Sequence, residues 1–163
     1  MFLLALTMMM HSGPARAFGF GVGAGAIHLP ASSYHYLGYS AHLAFGADDS
    51  HFRWSLGSTH PYSGHGFSQM VMYTQFGWEW MVGKGKFFRP YAGLGAGVFF
   101  DKVQTQIGVV PSLASAFGLR IGGSGLSLDL SVAMLLGIYS PAHLTYFTMW
   151  PMINAMAGIS VGM

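Results

Sequence analysis

Cysteine is absent from this 163-residue chain, which excludes a disulfide framework, an iron–sulfur cluster and a cysteine-based zinc site. That fits an oxidising compartment. Charge is scarce as well. Seven Lys and Arg and five Asp and Glu make up 7% of the residues, against roughly 25% in ordinary soluble domains. A surface built from so few charges is hard to keep in water, so lipid is the expected solvent. The net charge of +2 is too small to argue for a nucleic-acid partner. Residues 130–163 carry no Asp, Glu, Lys or Arg, which invites a transmembrane helix over 144–163. Pro151 and the lack of comparable uninterrupted runs elsewhere argue against it. The length is that of one domain able to bury a real core.

What the chain does have is glycine, aromatics and a two-residue period. Gly numbers 24 and aromatics reach 15%. Val132, Met134, Leu136 and Ile138 continue Leu126, Leu128 and Leu130, while Ser127, Asp129 and Ser131 take the other face. Met70, Met72, Thr74, Phe76, Trp78, Trp80 and Val82 likewise oppose Gln69, Tyr73, Gln75 and Glu79. Ile153, Ala155, Ala157, Ile159, Val161 and Met163 form a last such row. Lipid-facing helices have no reason to alternate by twos, so these are strands.

Residues 1–17 are expected to be a signal peptide and 18–163 the folded domain. "FLLALTMMM" is an apolar run too short to span, and Ala15-x-Ala17 offers a cleavage signature before Phe18. A basic n-region is missing, and an N-terminal membrane anchor is the alternative. Eight strands are predicted at about 19–28, 36–46, 51–59, 69–82, 88–100, 112–122, 125–138 and 151–163. Their connections alternate. "GADDS", "GKGK" and "GGSG" are tight, whereas 29–35, 58–68, 101–111 and 139–150 are long. Short turns on one side and long loops on the other are the plan of a bacterial outer-membrane barrel, and an even strand number closes the sheet.

Charges and rings test that plan. Of the eleven charged residues after position 17, Asp48, Asp49, Lys84, Lys86, Asp101 and Lys102 fall in turns and loops. Arg53, Glu79, Arg89, Arg120 and Asp129 lie in strands, and the apolar rows turn all five inward. On the lipid face an Arg or Lys at mid-depth would cost roughly 2–4 kcal/mol. Phe45, Phe52, Trp54, Trp78, Trp80 and Phe88 gather at the short-turn ends, and Phe100, Tyr139, Tyr146, Phe147 and Trp150 at the long-loop ends. Two such belts mark the two membrane interfaces. Glycine fills the inward row in "GFGVGAGA" (19–26) and in "GLGAG" (93–97). An eight-stranded barrel is only wide enough for side chains to fill, so glycine makes room for long inward groups and lets strands bend. The G-x-G-x-x-A spacing at 19–26 lacks the strand, helix and acid of a nucleotide loop.

With these features, and above all with "RPYAGLGAGVFF" (89–100), the chain resembles the small eight-stranded outer-membrane barrels of the OmpA/OmpX/OmpW-like kind over its whole length from residue 18. The likeness implies a closed antiparallel transmembrane barrel in the outer membrane of a Gram-negative bacterium, with outer-membrane lipid and lipopolysaccharide around it. The family usually ends in Phe or Trp, where this chain has Met163. No peptidoglycan-binding domain follows the barrel, so a wall tether is not implied.

For function, the lumen comes first. Glu79 is expected beside Arg89 across the Gly-Lys-Gly-Lys turn, with Arg53 on the other neighbouring strand, and Arg120 and Asp129 flank the Gly-Gly-Ser-Gly turn. Buried charges are usually paired, so the expectation is a salt-bridged plug. Three arginines against two acids leave a narrow anion-preferring pore as an alternative. A lipid A-modifying hydrolase is the other, because "THPYSGHG" (59–66) offers His60, Ser63 and His65. Such a serine needs a base and usually an acid, yet no Asp or Glu lies in 50–78. His28, His35, His60, His65 and His143 fall at loops or strand ends, with His42 inward and His51 by a turn. Their spacing is not that of a metal site. The reading is a monomeric, non-enzymatic barrel with neither cofactor nor metal, meeting surface or envelope partners through its long loops.

Overall fold

The computed structural model describes residues 17–28, 35–47, 49–61, 72–83, 86–103, 106–123, 125–139 and 148–162. Eight strands follow one another: β1 (Ala17–His28), β2 (His35–Ala47), β3 (Ser50–Pro61), β4 (Met72–Met81), β5 (Phe88–Val103), β6 (Gln106–Gly122), β7 (Leu126–Tyr139) and β8 (Thr148–Val161). Each pairs antiparallel with its sequence neighbour, and β1 pairs with β8 from Phe20↔Val161 to His28↔Ile153. Closure leaves no strand edge with unpaired amides, the one way a sheet can stand in a solvent that offers no hydrogen bonds.

Alternation sets the two faces. Phe20, Val22, Leu94, Phe117, Leu128, Val132 and Ile159 point outward and are exposed, while the residues between them are buried or half-buried in the lumen. The rings predicted for the short-turn end lie on that outer face, and Phe18 joins them at 5.3 Å from Phe45. Two of the indoles are satisfied locally. Trp54 Nε1 donates to Thr74 Oγ1 at 2.9 Å and Trp78 Nε1 to Ser50 Oγ at 2.7 Å. At the other end Phe100 is outward as expected. The side chains of Tyr139 and Trp150, and Tyr146 and Phe147 altogether, lie outside the described residues.

The glycines answer to specific neighbours. Directly across from Gly21, Gly57, Gly93 and Gly118 stand His42, Tyr73, Glu79 and Tyr91. A Cβ at any of the four would fall on or against that partner's side chain. Each bulky inward group thus lies over a glycine of the adjoining strand, which is how a narrow barrel holds large side chains without widening. Gly83, with a φ of 88°, closes the β4–β5 connection, where Lys86 N–H donates to the Gly83 carbonyl at 2.9 Å.

Three boundaries differ from expectation. Residues 101–103 and 106–111 are strand rather than loop: β5 and β6 continue pairing through Asp101↔Gly108, Lys102↔Ile107 and Val103↔Gln106. Polar residues can continue a strand, so polarity alone was a poor sign of a loop. β8 begins at Thr148 rather than 151, pairing with Tyr139. β1 includes Ala17, which the sequence had assigned to the leader. The leader itself, and residues 69–71 of the predicted fourth strand, lie outside the described residues.

Candidate functional site

The lumen is filled at two levels. In the half toward the long loops, Ile27, Tyr36, Tyr73, Phe99, Val110, Ala114, Leu135 and Met152 form one apolar cluster. Ile27, Leu135 and Met152 are 0% exposed. These three come from β1, β7 and β8, Val110 and Ala114 from β6, and Tyr36, Tyr73 and Phe99 from β2, β4 and β5, so the cluster draws on seven of the eight strands. Burial of this kind is worth roughly 1.5–3 kcal/mol per large side chain.

Below it, toward the short turns, lie the polar groups. Arg53 is their hub. Its Nη1 donates to Glu79 Oε1 at 3.2 Å, to Tyr91 Oη at 3.3 Å and to Asp129 Oδ2 at 3.3 Å, and its Nη2 to His42 Nδ1 at 3.0 Å. Tyr91 Oη donates to Asp129 Oδ1 at 2.7 Å, and Arg120 Nη2 lies 3.6 Å from Asp129 Oδ2, its guanidinium 5.8 Å from the Tyr91 ring centre. His51 Nε2 donates to Glu79 Oε2 at 3.0 Å. His42 Nε2 reaches Ser160 Oγ at 3.1 Å. The network therefore links β2 through β8 across the barrel axis. Arg53, Gln75 and Glu79 also line a cavity of about 20 Å³, where Arg53 Nε and Gln75 Oε1 have no protein partner. That is room for one water with a donor and an acceptor to hold it.

All five sequence-predicted charges point inward and are buried or nearly so. Arg53, Glu79, Arg120 and Asp129 are brought together, with Arg120 directly opposite Asp129 in register. Arg89 is not. Met81 faces Tyr91 and Glu79 faces Gly93, so the β4–β5 connection, wider than the four-residue turn expected, carries Arg89 past Glu79. Arg89 stands opposite Arg120 instead. Tyr91, His42, His51 and Ser160 were missed as members. Inward parity singles out each of them, but only register shows which partner it meets.

A Ser–His pair in hydrogen-bond reach raises the question of nucleophilic catalysis. Arginine can only donate, so the bond from Arg53 makes His42 Nδ1 an acceptor, and the ring proton sits on Nε2 facing Ser160. That tautomer donates to the hydroxyl. It cannot take the serine's proton, and among the described residues the ring's other nitrogen faces Arg53 rather than an acid. Ser63 and His65 lie outside the described residues, as does the side chain of His60. Among the described residues no group of three or more His, Cys, Asp or Glu could hold a metal ion.

No family model matches the chain, and no curated protein matches it in sequence. Solved structures do. Neisserial surface protein A aligns with a TM-score of 0.67 at 10% identity, covering 91% of this chain and 97% of its own. The N-terminal β-barrel domain of OprF from Pseudomonas aeruginosa gives 0.62 at 15% identity, covering 91% and 100%. The outer-membrane enzyme PagL gives 0.53 at 15% identity, covering 89% and 99%. The chain has the fold of small eight-stranded outer-membrane barrels.

Proposed function

We propose that the chain is a non-enzymatic, monomeric integral protein of a Gram-negative outer membrane, exported by the leader at 1–17. It is a plugged scaffold that presents the connections at 29–34, 62–71 and 140–147 to lipopolysaccharide or to envelope and surface partners. The observation that carries this reading is the doubly filled lumen: an apolar cluster over a charge network leaves the connecting segments as the place for function. The apolar outer face and the likeness to outer-membrane barrels support the location. Two measurements test it. Folded protein extracted from membranes should migrate differently in gels before and after boiling, and in planar bilayers it should give no steady conductance steps. Replacing 62–71 with a short Gly-Ser turn should leave both results unchanged and reduce the lipopolysaccharide that co-purifies. Unaltered co-purification would remove these residues from the reading.

One observation favours a second reading, since PagL is an outer-membrane enzyme of the same fold. Against it stands the donor-to-donor order from Arg53 through His42 to Ser160. Mass spectrometry of lipid A with and without the gene separates the two, and an altered acyl pattern would establish the hydrolase.

A further inference from the structure

We propose that Arg89 is the anchor of an oxyanion-binding site inside the short-turn end of the barrel, taking a phosphate-type group. Arg89 is 4% exposed and points into the lumen. Its Nε and Nη2 have no hydrogen-bond partner. These two nitrogens share one edge of the guanidinium plane, the edge whose two parallel N–H bonds fit a pair of oxygens of a phosphate or carboxylate. An unmatched buried guanidinium is costly, and an unfilled fork doubles the reason for a counter-ion.

The protein does not supply that counter-ion. Among the residues whose side chains are described, only Glu79 and Asp129 are acids pointing inward, and each of their oxygens is already engaged. Glu79 Oε1 accepts from Arg53 and Oε2 from His51. Asp129 Oδ1 accepts from Tyr91, while Oδ2 accepts from Arg53 and lies near Arg120. Arg53, Arg89 and Arg120 leave the lumen one positive charge in excess of these two acids. Register adds to the imbalance by setting Arg89 directly across from Arg120, an arrangement of like charges that destabilises a sheet unless something negative lies between them. At the short-turn end, Gly46 of β2 and Gly122 of β6 are inward positions that bring no side chain. The apolar cluster lies on the long-loop side of the site, and binding there requires no conduction.

A free phosphate and a phospholipid headgroup present the same chemistry, and the test separates them. The full chain is folded in a non-ionic detergent with chloride as the sole anion, and its unfolding is followed by the gel-mobility shift on heating. Inorganic phosphate is then added against sodium chloride of equal ionic strength. At about 100 times its dissociation constant, phosphate should raise the folded-to-unfolded ratio about 100-fold, and Arg89→Met should lose the response. If phosphatidylglycerol added to the micelles reproduces the effect and inorganic phosphate does not, the group bound is a headgroup. Should Arg89→Met not fold, phosphorus NMR takes its place, with line broadening of phosphate by the native chain that Arg89→Lys weakens by removing the fork. Equal behaviour of phosphate, phosphatidylglycerol and chloride, or a response untouched at position 89, overturns the site.

Discussion

Replacing Arg53 by methionine tests whether the charge network holds the barrel together. The stem length is kept and the charge removed, so the loss is electrostatic rather than steric. Removing one partner of a buried ion pair costs about 3–5 kcal/mol, since the remaining charge stays desolvated. Here Glu79 would keep His51, and Asp129 would keep Tyr91 and Arg120, so the cost should fall near the lower end, about 3 kcal/mol. That is roughly a 100-fold fall in the folded-to-unfolded ratio. Urea unfolding in lipid vesicles, read by fluorescence of the four tryptophans, measures it. Glu79→Gln and the double variant complete a cycle, in which groups 3.2 Å apart should couple by about 0.5–3 kcal/mol. A loss under about 0.5 kcal/mol with no coupling would refute the reasoning, because it would mean that water already solvates these groups.

Three further outcomes are expected. Gly57→Ala places a methyl against the Tyr73 ring and should cost about 1–3 kcal/mol in the same urea assay, whereas Gly123→Ala meets open space and should be close to neutral; equal effects would sink the room-making role of glycine. Leu94→Arg, at mid-strand on the outer face, should cost about 2–4 kcal/mol in a bilayer, and Val82→Arg at the strand end about 0–1. If the two cost the same, the outer face does not meet hydrocarbon as argued. Leu135→Ala, in the apolar cluster, should destabilise by about 2–5 kcal/mol and still give no conductance steps in planar bilayers, because the charge network below it remains.

A two-residue period reads out directly as two faces. Ser127, Asp129 and Ser131 turn inward and Leu126, Leu128 and Leu130 outward, as their alternation requires. Strand number and the short hairpins followed from Gly-rich punctuation. Polar sequence at 101–103 misled, since β5 and β6 go on pairing there. Within the lumen, parity picked out all five charges but assigned one partner wrongly. Glu79 and Arg89 are ten residues apart across a turn, and a change of turn width moves every pairing past it.

The amino-acid order by itself determined which side chains look inward, that the sheet has eight strands, and that its outer surface is apolar, because each of these follows from local alternation. Only the closed tertiary structure decided that Arg53 of β3 meets Asp129 of β7, that His42 faces Ser160 118 positions away, and that Arg89 is left without an acid. The first crosses the barrel, and the second passes over Gly21 of β1. They depend on register and closure, which accumulate along the whole sheet and are written in no single stretch of it.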